Sequence, residues 1–393
     1  MKIFIVAHNI NSAGITSQTN NLLRELESRE DLSCKIVLPD HSGFSETNNL
    51  EKKGLSIVKV PYPKNRFLRL VLRIIYDFLL IPGLIIAYNP KAVLAIANYM
   101  PTPVFFRKKI ILIRHPYLLK KDLSKNLPLF QRMKEQATRL LLKLTLTTTD
   151  LVIVQSQYMK DSFQQAFNNK TPIIELPNPL SRSFVDKERP KEHQKSYEEG
   201  YKYLFYPSRF YPHKNHLFIN NIIDKYSEEL KTLKIKIIVT LGGESLIYLS
   251  GYEKELYNKI TITYEKEPFN NIIMNIGEVS QTELIKYYQK SSALFFPSSE
   301  ETFGNGLIEG MFFKLPILVP KLDYAMTICG NAGVYFEPDN VDSAFVSIKK
   351  IVSDRDFSVA HSILSEKRFS KFILTNEWID ILVNKINSLS SKQ

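Results

Sequence analysis

The sequence predicts an α/β protein in which two Rossmann-like, doubly wound domains face each other across a cleft. Three observations favour this fold. The chain has 393 residues, which is long for a single hydrophobic core and favours two domains. Short apolar runs alternate with amphipathic stretches, as expected for parallel sheets covered by helices on both faces. The alternation stops at a polar segment and then starts again, so each half predicts its own sheet.

The predicted strands are near-continuous hydrophobic runs, because a parallel strand between two helical layers is buried on both faces. The first half contains KIFIVAH, CKIVLP, AVLAIA, KIILIRH, LVIVQS and PIIEL. The second half contains KYLFYPS, KIKIIVTL, ALFFPS, LPILVP and GVYFEP, and a polar segment at residues 177–200 separates the two sets. We place the first domain at residues 1–180, the second at residues 181–375, and at residues 376–393 a C-terminal helix that is able to cross back to the first domain.

The composition is that of a soluble globular protein, with 44% hydrophobic and 23% charged residues. The two cysteines, Cys34 and Cys329, argue against a disulfide framework. The apolar start MKIFIVAHNI reads as a buried strand, and no small-residue cleavage site follows it as a signal peptide requires. The cytoplasm is therefore the predicted compartment.

The net charge of +12 is concentrated in the first half of the chain. Residues 1–185 contain 26 Lys and Arg against 13 Asp and Glu, whereas the remainder contains 26 against 27. Within residues 51–150 the counts are 19 against 5. This local excess predicts that the first domain meets an anionic partner, although a solvated basic face explains the same counts.

The stretch NRFLRLVLRIIYDFLLIPGLIIAY raises the question of a membrane. Arg66, Arg69 and Arg73 recur at helical spacing beside a broad apolar face. The longest run without charge, residues 78–90, is too short to span a bilayer and contains a Pro-Gly break. Two interpretations stay open. The helix lies on an anionic membrane surface, where its arginines meet lipid or an acceptor, or it packs beneath the sheet.

The stretch SSEETFGNGLIEGMFF predicts the main binding site. Glu301 and Glu309 flank a bend, and Gly304 and Gly306 leave backbone N–H groups at a helix N-terminus open to an anion such as phosphate. Carboxylates accept paired hydrogen bonds from vicinal hydroxyls. Two of them around a phosphate site therefore suggest a ligand with hydroxyls on both sides of its phosphates, and a nucleotide sugar has this structure.

This stretch resembles the signature of the retaining nucleotide-sugar glycosyltransferases of family four, which have the GT-B fold. The family pattern is a glutamate, seven residues that include a Phe-Gly pair, and a second glutamate, and ETFGNGLIE matches it. Further blocks agree in order: NSAGIT, IRHP, LVIVQSQYMK, LPNP, FYPSRFYPHKNH, NIGEVSQTELIKYYQKSSALFFPSS and CGNAGVYFEP. One departure is the segment with Met326 and Thr327, where many relatives have an acidic residue, so no contact is assigned there.

The resemblance implies roles for individual residues. Arg209 and Lys214 would bind the donor diphosphate, Glu301 the transferred sugar and Glu309 the ribose, while His115 would lie near the reacting carbon. Of these, His115, Arg209, Lys214 and Glu301 form the implied catalytic set. The other implied donor-binding residues are Gly14, Ser208, Gly277, Glu278, Val279, Phe303, Gly304, Asn305, Gly306 and Leu307. Each role has an ordinary alternative. Arg209 and Lys214 would be solvated surface cations, Glu309 a helix-surface acid, His115 a structural histidine and Gly14 part of a plain βα turn.

The resemblance also implies no metal ion and no other cofactor, since two protein cations take the place of a metal. The acid pair Asp354 and Asp356 reads as a solvated helix start. The predicted activity is sugar transfer from a nucleotide sugar to a lipid-linked or polysaccharide acceptor in bacterial capsule, O-antigen or exopolysaccharide synthesis. The enzyme would work at the inner face of the cell membrane, in peripheral contact with anionic lipid and without nucleic acid. A sugar-nucleotide epimerase on the same fold and a non-catalytic binder of nucleotide sugars or polyanions are the alternatives.

Overall fold

The computed structural model describes residues 1–10, 13–49, 54–96, 98–101, 104, 107–115, 118–119, 129–185, 200–243, 246, 249 and 251–389. The chain forms two compact units. Unit 1 contains Met1–Ser181 and Ile373–Gln393, and unit 2 contains Arg182–Phe372. Each unit is an α/β structure built on one parallel sheet, which confirms the predicted fold class.

Unit 1 contains a seven-stranded sheet in its described part. Its strands are β1 (Lys2–Val6), β2 (Ser33–Asp40), β3 (Leu55–Pro61), β4 (Ala92–Ala95), β5 (Lys108–Leu112), β6 (Leu151–Val154) and β7 (Ile173–Glu175). They pair in parallel in the order β3-β2-β1-β4-β5-β6-β7. The order reverses between β1 and β4, so the carboxyl ends of these two strands form the switch point where open α/β sheets place ligands.

Helices cover the sheet of unit 1. They are α1 (Ala13–Glu27), α2 (Arg66–Ile75), α3 (Ile81–Tyr88), α4 (Leu129–Leu146) and α5 (Gln157–Ala166). A π-helical turn, Tyr76–Leu80, joins α2 to α3 without a break. The side chain of Asn65 accepts hydrogen bonds from the N–H groups of Phe67 and Leu68 at 2.9 and 3.1 Å, which fixes the start of this helical segment.

Unit 2 contains a six-stranded parallel sheet in its described part. Its strands are β8 (Lys202–Tyr206), β9 (Ile235–Val239), β10 (Ile273–Asn275), β11 (Ala293–Phe295), β12 (Ile317–Pro320) and β13 (Gly333–Phe336). They pair in the order β10-β9-β8-β11-β12-β13. The switch point of this sheet therefore lies between β8 and β11.

Unit 2 contains nine α-helices in its described part, and some of them begin at side-chain caps. They are α6 (Arg182–Val185), α7 (His216–Thr232), α8 (Tyr252–Tyr264), α9 (Phe269–Ile272), α10 (Gln281–Lys290), α11 (Asn305–Phe312), α12 (Asp323–Cys329), α13 (Val341–Ser353) and α14 (Arg355–Phe369). Ser280 and Glu283 form a capping box at α10. The Asp354 carboxylate accepts the Phe357 N–H at 2.9 Å and caps α14, so the acid pair singled out in the sequence stands at a helix start.

The last helix, α15 (Thr375–Ser388), packs in unit 1. Its buried side chains Trp378, Ile379, Leu382 and Ile386 belong to the same core cluster as Leu23 of α1. A parallel bridge between Leu180 and Leu374 joins the two crossing segments of the chain just before α15 begins. The core of unit 1 is therefore completed by the end of the chain.

All eleven strands predicted from hydrophobic runs are present, and the described residues contain two further strands that the sequence did not predict. The missed strands, β3 and β10, are sheet edges. Residues in the middle of β3 are only partly buried, and β10 has three residues of which two are exposed. An edge strand does not need to be apolar on both faces, so it lacks the continuous run by which the others were recognised.

We expect Ile379→Ala to lower the free energy of unfolding of unit 1 by about 2 to 5 kcal/mol, because it leaves a cavity beneath α15. Ile379 is 1% exposed. The fluorescence of the single tryptophan, Trp378, reports urea unfolding at this helix. Ile86→Ala is the matched control, since Ile86 is 75% exposed and its replacement should change stability by no more than about 0.5 kcal/mol. Equal losses in the two variants would contradict the assigned packing of α15.

Candidate active site

Four polar loops meet at one edge of the unit 2 sheet. Residues 207–214 follow β8, residues 240–243 follow β9, residues 276–279 follow β10 and residues 296–304 follow β11. Because β10, β9, β8 and β11 are neighbours in that order, these loops line the carboxyl edge around the switch point. Most of the donor-binding residues predicted from the sequence lie in these loops or in the helix that follows the last of them.

Two ion pairs bring four of the predicted residues together. The guanidinium of Arg209 donates to the carboxylate of Glu278, and the ammonium of Lys214 donates to that of Glu301. The side chains of the second pair are 17% and 11% exposed. Each cation is therefore held in place by a carboxylate from a neighbouring loop. The sequence identified all four residues but gave no indication that they pair in this way.

The loops after β8 and β11 are tied together through one carbonyl group. The His213 carbonyl accepts hydrogen bonds from the Ser299 N–H at 2.8 Å and from the hydroxyls of Ser298 and Ser299 at 3.1 Å. Lys214 follows His213 directly, and its own carbonyl accepts the hydroxyl of buried Tyr206 at 2.7 Å. These hydrogen bonds fix the backbone that carries Lys214 against the backbone that leads to Glu301.

Helix α11 begins at a glycine turn. Gly304 has φ 72° and ψ 67°, in the left-handed region that favours glycine. A Cβ at Gly304 would lie 2.9 Å from the Leu307 side chain, and one at Gly306 would lie 3.2 Å from the ring of Phe296. Phe303, which is 1% exposed, anchors the turn in the core of unit 2. The first N–H groups of α11 are thus presented without obstruction by side chains, as an anion requires.

Glu309 lies one turn into α11 and is partly buried. Its carboxylate accepts a hydrogen bond from the hydroxyl of Tyr288 at 2.6 Å. Burial raises the pKa of Glu309, and the hydrogen bond from Tyr288 opposes part of that rise. Glu309 is therefore a carboxylate held by a buried tyrosine of α10, and the alternative of an ordinary helix-surface acid does not describe it.

The remaining predicted residues of unit 2 shape the edge of the site. Ser208 is buried, its N–H donates to the hydroxyl of Thr240 at 2.9 Å, and its own hydroxyl donates to the Arg209 carbonyl at 3.0 Å. Gly277 has φ 69° and Val279 is partly exposed. Glu278 lies so close over Gly243 that any side chain at that glycine would collide with the carboxylate. Asn305 and Leu307 stand in the first turn of α11.

The predicted residues of the first domain lie in unit 1. Gly14 is exposed in the first turn of α1. His115 follows β5, and its Nε2 lies 3.7 Å from a carboxylate oxygen of Glu135 on α4. The guanidinium of Arg69 lies 4.8 Å from the centre of the Tyr62 ring. Parts of two family blocks, residues 11–12 and 116, and the side chain of Arg66 lie outside the described residues.

Unit 1 also contains a buried polar network that the sequence did not reveal. His8 follows β1, and its Nε2 lies 3.1 Å from a carboxylate oxygen of Asp77. The hydroxyl of Tyr99, which follows β4, donates to Asp77 at 2.6 Å and accepts a hydrogen bond from Arg73 at 2.8 Å. The network joins the switch point of unit 1 to the helical segment of residues 66–88. His8 and Tyr99 lie 69 and 22 residues from Asp77 in the chain, so no local motif indicates that they meet.

Among the described residues, no group of three or more His, Cys, Asp or Glu side chains is placed to hold a metal ion. The chemistry that the unit 2 site offers is that of fixed charges. Two cations and an open helix N-terminus favour a bound phosphate or diphosphate, because charge-assisted hydrogen bonds to phosphate oxygens are strong. Two carboxylates beside them are able to accept hydrogen bonds from hydroxyl groups.

Comparisons with known proteins found sequences similar to this chain. Residues 188–368 match the family model "Glycosyl transferases group 1". The chain is 24% identical over 339 residues to O-antigen chain mannosyltransferase RfbU of Salmonella typhimurium, which covers 84% of this chain and 83% of that protein. O-antigen chain mannosyltransferase B of Escherichia coli is 24% identical over 127 residues, covering 32% of this chain and 33% of that one.

Solved structures share the fold at low sequence identity. A glycosyltransferase from Rickettsia africae has a TM-score of 0.72 and 16% identity, covering 100% of this chain and 99% of that one. Anabaena HepE in complex with UDP-glucose has a TM-score of 0.72 and 15% identity, covering 99% of this chain and all of that one. The solved structures establish the GT-B fold, and the family model and curated relatives support its assignment as a glycosyltransferase.

Proposed function

We propose that this protein is a retaining glycosyltransferase that moves a sugar from a nucleotide-sugar donor to a lipid-linked or polysaccharide acceptor in bacterial surface glycan synthesis. The observation that carries the proposal is the carboxyl edge of the unit 2 sheet, where the loops carry the paired Arg209, Lys214 and Glu301, and where α11 begins with Glu309 one turn into it. The curated relatives are named as O-antigen mannosyltransferases, which supports a surface glycan as the product. HepE was solved with UDP-glucose, which supports a nucleotide-sugar donor.

In the proposed reaction, an acceptor hydroxyl oxygen forms a bond to the anomeric carbon of the donor sugar while the bond from that carbon to the β-phosphate oxygen breaks. Attack occurs on the face from which the phosphate leaves, and the departing phosphate takes the proton of the acceptor hydroxyl. Negative charge grows on the leaving diphosphate as the bond breaks. Arg209 and Lys214 stabilise that charge, and stabilisation that increases toward the transition state accelerates the step.

The two carboxylates have different tasks in this proposal. Glu309, fixed by Tyr288, binds the ribose hydroxyls of the donor. Glu301, held beside Lys214, binds hydroxyls of the sugar being transferred. The sugar ring gains positive charge during the reaction whereas the ribose does not change. The contact made by Glu301 therefore strengthens on the way to the transition state, and the contact made by Glu309 does not.

Unit 1 supplies the acceptor side in this proposal. The excess of basic residues between positions 51 and 150, with 19 Lys and Arg against 5 Asp and Glu, favours an acceptor that carries phosphate and is held at an anionic membrane. In this proposal His115 and Gly14 also contact the donor. The enzyme would act without a divalent metal ion at the cytoplasmic face of the membrane.

The direct test is a panel of UDP-, GDP- and dTDP-sugars, assayed for hydrolysis and for transfer in the presence of excess chelator. We expect turnover of at least one donor, and an anomeric configuration of the product, measured by NMR, that matches that of the donor. An inverted product would reject the retaining mechanism. Activity that disappears with chelator and returns with manganese would reject metal independence.

We expect Glu301→Gln and Glu309→Ala to impair different steps: Glu309→Ala mainly donor binding, and Glu301→Gln mainly turnover. Glu309→Ala should weaken binding of the donor and of the free nucleoside diphosphate by about 1 to 3 kcal/mol, as for a lost hydrogen bond to a charged group. Glu301→Gln should lower kcat by a larger factor than it raises the donor KM. It should leave the affinity for the nucleoside diphosphate, measured by calorimetry, close to that of wild type. Normal turnover by Glu301→Gln would remove this residue from the reaction.

We expect Tyr288→Phe to shift the pH dependence of nucleoside diphosphate binding. The ionised Glu309 is the better acceptor for ribose hydroxyls, so wild-type affinity should fall as pH drops through the raised pKa of Glu309. Without the Tyr288 hydroxyl that pKa rises further, and the loss of affinity should begin at a higher pH. Affinity should recover in the variant when the pH is raised.

The control for this experiment is Tyr287→Phe, at the neighbouring position of α10, which should keep the wild-type profile. A uniform loss of affinity at every pH in Tyr288→Phe would indicate general damage to the packing of α10. It would contradict the role of Tyr288 in holding Glu309 ionised.

A further inference from the structure

The helical segment of residues 66–88, formed by α2, the π-helical turn and α3, has an unusual surface. In the described part of the chain, Phe67–Tyr88 is the one helical stretch long and apolar enough to cross a membrane by length and composition. An 18-residue stretch of this helix has a mean hydropathy of 2.2, and only 28% of that stretch is buried. A buried core helix would pass the same test of composition, but this one is mostly uncovered.

The exposed face of this segment is apolar, whereas its covered face carries the polar groups of Arg73, Tyr76 and Asp77 beside the apolar side chains of Ile81 and Ile85. The exposed face is a run of large hydrophobic side chains: Phe67, Leu68, Leu70, Val71, Ile74, Ile75, Phe78, Leu79, Leu80 and Ile86. Arg69 and Arg73, which stand between them in the sequence, are turned toward Tyr62 and Tyr99 of unit 1 and are less exposed than these apolar neighbours. A surface helix in water has the opposite arrangement, with its apolar face toward the protein.

The polar face is anchored at the switch point of unit 1. Asp77 is 6% exposed and contacts His8 after β1 and Tyr99 after β4. Arg73 donates to Tyr99, and its Nε lies 3.9 Å from the carboxylate of Asp77. The inverted orientation is therefore fixed by several polar contacts to two strands, because turning the helix over would leave Asp77 without them.

We propose that the helix of residues 67–86 lies parallel to the plane of a lipid bilayer, and that its apolar face inserts at the boundary between headgroups and acyl chains. This inference rests on the proposed function for its biological setting and deepens it by naming the surface that meets the membrane. The contact with the bilayer is made by apolar side chains that insert into it. Arg69 and Arg73, two of the three arginines that the sequence suggested as a membrane-binding stripe, contact Tyr62 and Tyr99 of unit 1 instead of facing the lipid.

Charge favours a bilayer over a second copy of the chain as the occupant. The first 185 residues carry 26 Lys and Arg against 13 Asp and Glu, so two copies that met at this face would bring two basic regions together. An anionic lipid surface complements the same charge. Lys64 is exposed immediately before the segment, at a position where it reaches toward headgroups.

The topology favours insertion in the plane over a membrane-spanning helix. The segment begins after β3 and ends before β4, and both strands belong to the same sheet of unit 1. A spanning helix would place its two ends on opposite sides of the membrane, which strands of one sheet do not allow. It would also draw Asp77 from its contacts with His8 and Tyr99 into the acyl chains, where an acidic side chain is strongly disfavoured.

The first test measures partition of the full chain onto vesicles of phosphatidylethanolamine and phosphatidylglycerol by flotation. Phe67 and Leu79 are 76% and 70% exposed, so the double variant Phe67→Ser with Leu79→Ser should keep its fold. We expect it to lower the partition coefficient by roughly tenfold or more. The matched control is Val346→Ser with Ile363→Ser in unit 2, where the exposed fractions are 64% and 59%, and it should partition as wild type does.

Salt separates insertion from simple adsorption of charge. Because Arg69 and Arg73 face unit 1, we expect most of the bound fraction to remain on the vesicles in 1 M NaCl, and Arg69→Gln to bind as wild type does. Complete release by salt, or equal binding by the Phe67→Ser, Leu79→Ser variant, would overturn the proposal. So would concentration-dependent dimerisation, seen by sedimentation, that this variant abolishes.

Depth measurements test the orientation. Single replacements Phe67→Trp, Phe78→Trp and Ile86→Trp are quenched with lipids brominated at shallow or deep positions, while native Trp378, buried at 3% exposure, serves as an unquenched reference. An in-plane helix should give all three probes similar, shallow depths. Selective quenching of the Phe78 probe by deep bromines would indicate a spanning helix and overturn the proposal.

The same variants separate this inference from the proposed function. Hydrolysis of the nucleotide-sugar donor in detergent should be unchanged in Phe67→Ser with Leu79→Ser, since neither residue belongs to the proposed donor site. If wild type binds vesicles as described but turns over no nucleotide sugar, the proposed function fails and the membrane surface stands. If wild type turns over the donor but does not bind vesicles, the membrane surface is rejected and the proposed function stands.

Discussion

The pairing of β8 with β11 is the constraint on which the unit 2 site depends. These strands are far apart in the chain, yet they lie side by side, with Ala293 opposite Leu204 and Leu294 opposite Phe205. Parallel pairing brings the loops after both strands to the same edge, so Lys214 and Glu301 meet although 87 positions separate them. The His213 carbonyl then joins the two loops by hydrogen bonds. Strand pairing brings the two charged groups near each other, and these hydrogen bonds fix the backbone positions that carry them.

The charges of the site are balanced in pairs, and this has a physical reason. A partly buried cation without a partner would lose hydration and gain nothing in return, so Arg209 and Lys214 each lie against a carboxylate. Glu309 has no such cation in the described contacts and relies on the hydroxyl of Tyr288. Its pKa is raised as a result of burial, whereas the other two carboxylates are held by opposite charge. The acids that frame the site are thus supported by different means, which is consistent with their binding different parts of one ligand.

The sequence identified what depends on local pattern and missed what depends on distant contacts. Most of the eleven recognised strands are buried on both faces, and such burial leaves a continuous apolar run in the sequence. The edge strands β3 and β10 are only partly buried and were missed because they lack such a run. Glu301, Gly304 and Glu309 stand out in the sequence because a turn and a helix start have a fixed spacing. Tyr288 does not, because nothing in the pair Tyr287-Tyr288 shows which ring is buried beside a carboxylate. Pairing of Arg209 with Glu278 likewise requires knowledge of strand order.

The helix of residues 66–88 shows the same limit most clearly. Its first part, α2, has one polar and one apolar stripe, and an amphipathic pattern alone does not state which stripe faces the protein. The contacts of Asp77 with His8 and Tyr99 determine which face packs on unit 1. These contacts form only when β1 and β4 lie side by side. Because these residues also stand at the switch point of unit 1, a bilayer that takes up the apolar face would set the orientation of that strand edge relative to the lipid. An acceptor anchored in the same bilayer would then approach unit 1 from a fixed direction, without any contact between the protein and the rest of the lipid chain.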